Sequence, residues 1–134
     1  MSIIPELLEI YLEMHADEPQ ALLEQLCHQP SVAAQNLGIS AMADLVENLL
    51  NDAGFSTQRL TVEGAPPVIY GELQGRGPYT LLLYNHYDVQ PAEPFELWES
   101  PPFEPTVREG KLYARGVADN KGEKASTAEA SRTN

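Results

Sequence analysis

The sequence predicts a layered α/β domain, with a sheet flanked by helices. Apolar residues recur at helical spacing in the first third of the chain, and a two-residue alternation typical of strands follows. A nearly continuous apolar run then occupies residues 79–85, as expected of a strand that helices cover on both faces. At 134 residues, the chain has the length of one ordinary domain.

Three helices are predicted before the strands. Apolar residues lie three and four positions apart over residues 3–12 and again over 21–27. The third helix is expected to begin at an N-cap on Ser40 and to end at Gly54, where a left-handed C-terminal cap would stand. This helix carries its apolar residues on a single stripe.

The strands and turns are expected after Gly54. Residues 55–62 and 68–73 are predicted strands, and a Gly- and Pro-rich turn precedes the buried strand at 79–85. Residues 91–105 combine several prolines with aromatic side chains, which predicts an ordered loop packed on the domain. Residues 106–108 and 111–113 then flank Glu109 and Gly110 as a compact hairpin.

The charge and the cysteine content exclude several classes of protein. Twenty acidic residues stand against eight Lys and Arg, a formal net charge of −12 that repels nucleic acid and anionic membrane surfaces. The single cysteine, Cys27, cannot form an intramolecular disulfide and is interpreted as a small core residue. The first residues lack the basic start of a secretory signal, so a cytoplasmic location is expected.

Two polar residues stand at the end of the predicted buried strand. His86 and Asp88 are two positions apart, so in a strand their side chains share a face. Ligand sites of open α/β sheets collect at this end of the strands, and a metal-bound histidine commonly gives its other ring N–H to a carboxylate. A surface turn at a strand end would present the same two residues.

A third candidate is Asp119, in the glycine-containing segment after the hairpin. A carboxylate there is able to bind one metal ion or to bridge two. On residue chemistry alone, the same carboxylate is also suited to capping a helix N-terminus.

Two stretches together resemble a known family. YNHYDVQPAEPFELWESPPFEP and then GKLYARGVADNKG are similar to dinuclear-zinc hydrolases such as aminoacylase, acetylornithine deacetylase, succinyl-diaminopimelate desuccinylase, glutamate carboxypeptidase and carnosinase-type dipeptidases. The resemblance is dense over residues 80–122, and its wording is most like that of the dipeptidase branch. It implies an incomplete, N-terminal part of the zinc-peptidase catalytic domain.

The resemblance implies a role for each candidate. His86 would be a ligand to one zinc ion, Asp119 would bridge two zinc ions, and Asp88 matches the acid regarded as catalytic through its contact with the histidine. The bond from Asp119 to Asn120 is often cis in the family. Zn²⁺ is the implied cofactor, with Mn²⁺ or Co²⁺ as other candidates, and the implied substrates are peptides or N-acyl amino acids.

The chain also departs from the family pattern. The paired glutamates that supply a general base and a ligand have no counterpart, since Glu123 and Glu129 stand alone, and no histidine follows His86. His15 and His28 belong to the early helical region and are interpreted as ordinary surface or core histidines. We therefore expect residues 1–122 to be the N-terminal portion of a peptidase domain truncated before its site is complete, and inactive alone.

The segment 123–134 has no apolar side chain larger than alanine, so we expect it to be a disordered tail outside the family. With no helix after Gly122 to cover it, the sheet is expected to expose a face and to cause self-association. The alternative interpretation is a non-enzymatic acidic interaction module derived from such an enzyme.

Overall fold

The computed structural model describes residues 4–15, 17–123 and 125. Within them, three helices come first: α1 (Ile4–Met14), α2 (Glu18–His28) and α3 (Ile39–Asp52). Four short strands follow: β1 (Ser56–Leu60), β2 (Val68–Glu72), β3 (Thr106–Arg108) and β4 (Lys111–Tyr113). No helix in these ranges has both the length and the apolar character that crossing a bilayer requires.

The predicted helices are present, and one predicted boundary is wrong. The prediction placed the N-cap of α3 at Ser40, but α3 begins after Gly38, which has a φ of +69°. Gly38 lies directly against the backbone of Pro30, so the chain turns two residues earlier than expected and Ser40 lies inside the helix. At the other end, Gly54 has a φ of +88° and its N–H donates to Asn51, as the prediction of a left-handed end requires.

The core lies between α2 and α3. Leu22 and Leu26 of α2 pack with Met42 and Val46 of α3, and all four are at least nine-tenths buried. Cys27, which follows Leu26 in α2, is fully buried, as expected of a small core residue, and burial raises the pKa of its thiol.

The antiparallel pair β1–β2 covers α3. Its register runs from Ser56 opposite Glu72 to Leu60 opposite Val68, and alternate residues turn towards the helix. Gly71 lies close to Leu50 of α3 and to Phe55, where a side chain would have little room. One helix layer on one sheet layer is therefore the local architecture, which agrees with the predicted layered α/β class but, in the part of the chain that the structure describes, lacks the expected helices on both faces of the sheet.

The buried strand predicted at residues 79–85 is absent. This segment forms no ladder with any described residue, and its side chains are exposed: Tyr79 by 94%, Leu82 by 85% and Tyr84 by 86%. A strand requires neighbours to accept and donate its backbone hydrogen bonds, and none of the four described strands lies beside it. The apolar residues of this segment would be buried only in a sheet with further strands beside it.

The remaining predictions for this half of the chain are confirmed. Residues 91–105 form an ordered loop with a short 3-10 helix at Phe95–Leu97, and the indole N–H of Trp98 donates to the Ala92 carbonyl at 2.8 Å. β3 and β4 pair as the expected hairpin. Glu109 and Gly110 at its turn both have positive φ, as a tight hairpin turn requires.

The predicted tail lies mostly outside the described residues, which include Glu123 and Ala125 of it. These two residues are helical, and Ala125 is 3% exposed and joins the core of α2 and α3. Ordered structure therefore extends past Gly122, because the methyl group of Ala125 is enough to pack into the core of α2 and α3. The domain boundary at residue 122 stays a prediction.

Candidate metal site

His86 and Asp119 meet, although 33 positions separate them in the chain. The imidazole Nε2 of His86 lies 3.0 Å from Oδ1 of Asp119. His86 follows the exposed apolar segment, whereas Asp119 lies in the irregular turn Val117–Lys121 that follows β4. The fold therefore brings two of the three predicted site residues into direct contact.

The third residue, Asp88, holds the other side of the same ring. Nδ1 of His86 lies 3.1 Å from Oδ1 of Asp88 and 3.1 Å from its backbone carbonyl oxygen. Both are acceptors, so Nδ1 carries a proton and donates it. This arrangement leaves Nε2 as the ring atom that would offer a lone pair to a metal ion.

The two carboxylates also set the charge of the ring. Partial burial acts to lower the pKa of His86, but the hydrogen bonds with Asp119 and Asp88 outweigh it and the pKa is raised. The ring therefore takes up a proton more readily than a free imidazole does, and in the protonated form both nitrogens donate. A cation that binds Nε2 has to displace that proton.

The group opens to solvent. The side chain of Asp119 is 84% exposed and that of His86 is 36% exposed. They line a shallow concavity of about 200 Å³ together with Asp88, Gln90 and Arg115. A small ion or a ligand therefore reaches these atoms without any rearrangement of the chain.

The donors suit a zinc ion in kind but not in number. Two ligands of one tetrahedral zinc, each about 2.0–2.1 Å from it, stand roughly 3.3 Å apart, close to the distance from Nε2 to Oδ1. A closed zinc site takes four protein donors and a catalytic site takes three. Within the described ranges, no group of three or more His, Cys, Asp or Glu side chains is arranged to hold a metal ion.

The remaining histidines lie apart from this group. His15 contacts Glu18 at 2.6 Å and stacks on Tyr11, and His28 is an exposed residue at the end of α2. His15 lies in the turn after α1 and His28 at the exposed end of α2, so both fit the prediction of ordinary surface or core histidines.

Comparison with known proteins bears on the same residues. Residues 82–134, which include His86, Asp88 and Asp119, match the model of peptidase family M20/M25/M40. The chain is also similar to an M20 family metallo-carboxypeptidase, Sso-CP2 from Sulfolobus solfataricus, with 34% identity and a TM-score of 0.83. The chain therefore resembles the M20 peptidase family both in sequence and in fold.

Two further solved structures are similar in fold to this chain. Human carnosine dipeptidase 1 is 28% identical with a TM-score of 0.84, and the dipeptidase Dug1p from Saccharomyces cerevisiae is 23% identical with a TM-score of 0.77. The matches cover 87% of this chain for the Sulfolobus protein, 98% for the human protein and 90% for the yeast protein. They cover 27%, 31% and 29% of those proteins, so the chain spans less than a third of their length.

These matches confirm the resemblance and the fold class stated from the sequence. The chain has the fold of part of an M20 peptidase domain. The bond between Asp119 and Asn120 is cis, which is the conformation that the resemblance implied. The ligand roles of His86 and Asp119 and the catalytic role of Asp88 stay predictions.

Three residues around the motif, Asn85, Asn120 and Lys121, were not predicted from the sequence. The amide of Asn120 donates to Oδ1 of Asn85 at 3.1 Å, which joins the turn of Asp119 to the residue before His86. Lys121 is 1% exposed beneath that turn. A buried lysine is rare, so the sequence offered no signal for it other than its place beside Asp119.

Proposed function

We propose that this chain supplies the first part of the dimetal site of an M20 peptidase that hydrolyses peptide or N-acyl amide bonds. The observation that carries the proposal is the contact of His86 with Asp119, with Asp88 on the other ring nitrogen. It lies in the segment that matches the family model. The names of the related dipeptidases support a peptide substrate.

Each residue has a stated role in the proposal. His86 would hold one metal ion through Nε2, Asp119 would be shared between two metal ions, and Asp88 would hold the ring by accepting from Nδ1. Zn²⁺ is the proposed metal, and Mn²⁺ or Co²⁺ suits the same donors. When bound, such a pair lowers the pKa of a water molecule and polarises the amide carbonyl.

The 134 residues alone are proposed to be inactive. Two donors are fewer than a catalytic zinc site uses, and no adjacent pair of glutamates is present in the sequence to supply a general base. The other ligands and the base would come from elsewhere in a complete site.

Zinc titration by calorimetry tests the placement of the metal. The chain is expected to bind zinc weakly, and His86→Ala or Asp119→Ala should abolish the binding because each removes one of two donors. His28→Ala is the matched control, since His28 is an exposed histidine of α2. Zinc binding that survives His86→Ala would refute the proposed ligand, and tight stoichiometric binding would refute the argument from two donors.

A hydrolysis assay tests the proposed inactivity. Purified chain with dipeptides and Zn²⁺, Mn²⁺ or Co²⁺ is expected to show no turnover above a chelated sample. Turnover that chelation and His86→Ala both abolish would show that the chain alone is an enzyme.

The alternative of an acidic interaction module and the cytoplasmic location stay predictions. A pull-down that recovers one specific partner, with the zinc titration negative, would favour the module.

A further inference from the structure

Lys121 is a buried cation two positions after Asp119. Its Nζ donates to the carbonyl oxygens of Leu26 and Gln29, each at 2.9 Å. Leu26 belongs to the last turn of α2, and Gln29 follows the helix. The last carbonyls of a helix have no partner within it and form the negative end of its dipole, so the amino group of Lys121 caps α2.

The same stretch also holds the segment of His86. The backbone N–H of Val89 donates to the carbonyl of Ser31 at 2.8 Å. Val89 directly follows Asp88, and both Val89 and Ser31 are buried. Residues 26–31 are therefore a common support: one of the two site segments is bound to it through Val89, and the other through Lys121.

Packing joins these two attachments at Gly116. A Cβ on Gly116 would lie 2.7 Å from Cγ1 of Val89 and 3.1 Å from Cδ of Lys121. The backbone N–H of Lys121 also donates to the Gly116 carbonyl at 2.9 Å. The stem of Lys121 thus packs closely against Gly116, at the start of the turn.

From these contacts we propose that Lys121 is a positioning residue of the metal site: by binding the end of α2, it holds Asp119 opposite His86. The expected effect of Lys121 on metal binding rests on the proposed function. Asp119 itself is exposed and receives little packing of its own, so the turn that carries it has to be fixed from the buried side.

The experiment reads the His86 ring in metal-free protein. Lys121→Met keeps the stem and removes the donors, Asp119→Ala supplies the reference for a lost contact, and His86→Gln assigns the signal. In ¹⁵N-labelled protein with chelator at one fixed pH, Lys121→Met should move the ring ¹⁵N signals of His86 towards those of Asp119→Ala. Met42→Ala, a fully buried change in α3, should lower the melting temperature and leave these signals in place.

Two outcomes would overturn the proposal. One is an unchanged His86 signal in a folded Lys121→Met protein. If that variant shows no cooperative melt, Lys121→Gln, which keeps one donor group, takes its place. The other outcome is that neither variant folds while Met42→Ala does, which would make Lys121 a residue of the fold alone.

Zinc titration of the same variants separates this inference from the proposed function. Lys121→Met should weaken zinc binding about 10- to 100-fold, as loss of an outer support of a metal site does, whereas Met42→Ala should not. If the unmodified chain shows no zinc binding that depends on His86, the proposed function fails, and the ring signals still decide the role of Lys121.

Discussion

Gly116 shows at the scale of one residue how closely the site turn is packed. It has a φ of +91°, and Val89 and Lys121 occupy the space in which a side chain would stand. Any L-residue with a side chain at this position would have an unfavourable backbone conformation, and its Cβ would collide with Val89 and Lys121.

Gly116→Ala is expected to lower the free energy of unfolding by two separate costs. The left-handed backbone costs about 1–2 kcal/mol for a residue with a Cβ, and overpacking adds about 1–3 kcal/mol. Gly110→Ala is the matched control, since Gly110 has a φ of +74° and no atom within 4 Å of the added methyl group. Urea unfolding measures both, and equal losses in the two variants would show that the packing around Gly116 is loose.

Cys27 gives a second prediction at this scale. Burial raises the pKa of the thiol, so the folded state keeps a proton that the unfolded state releases above its ordinary pKa of about 8.5. The free energy of unfolding should therefore fall as the pH rises past that value. In the folded protein at pH 8, a thiol reagent should modify Cys27 far more slowly than in urea, and equal rates would mean that α2 opens freely.

Helices and hairpins were the elements that the sequence predicted best. Their signals are local: the stripe on α3, Gly54 at its end, and the pair Glu109 and Gly110 between β3 and β4. The prediction of a buried strand at residues 79–85 was wrong, because the burial of a strand depends on neighbouring strands that its own residues do not encode. The predicted N-cap of α3 at Ser40 was wrong for a related reason, because the chain turns at Gly38, where it contacts the backbone of Pro30.

The site was predictable only in part. The motif and the resemblance named His86, Asp88 and Asp119, and the structure brings these three together. Lys121 was out of reach, because its partners are backbone carbonyls more than 90 positions earlier. Backbone acceptors leave no mark in the sequence.

The contact of α2 with α3 gives a prediction at the scale of elements. Met42→Ala should lower the free energy of unfolding by about 2–5 kcal/mol, because Met42 is fully buried between the helices. Met14→Ala on α1 makes the same change at a side chain that is 75% exposed, and should alter it by no more than about 0.5 kcal/mol. Thermal melts of both variants test this, and similar shifts would place α1 in the core as well.

For the whole molecule, the exposed segment 79–84 sets the solution behaviour. Tyr79, Leu81, Leu82 and Tyr84 are each at least 80% exposed and follow one another closely. Contiguous apolar surface of this kind favours association. We expect the chain to pair with a second copy through this segment.

Sedimentation over a range of concentrations tests that expectation. The apparent mass of the unmodified chain should rise above 14.8 kDa with concentration, and a double variant with Leu81→Lys and Leu82→Lys should stay near that mass. Val62→Lys is the control, since Val62 is 71% exposed elsewhere on the surface. A monodisperse monomer with a sharp cooperative melt would contradict the prediction.

Trp98 makes the loop beside the proposed metal site optically visible. It is the one tryptophan in the sequence, and the guanidinium of Arg115 stands 5.1 Å from its ring centre, on the wall of the concavity that holds His86. Its emission therefore reports on this wall, whereas far-ultraviolet circular dichroism reports mainly on α1, α2 and α3. A ligand that enters the concavity should change the fluorescence and leave the helical signal as it was.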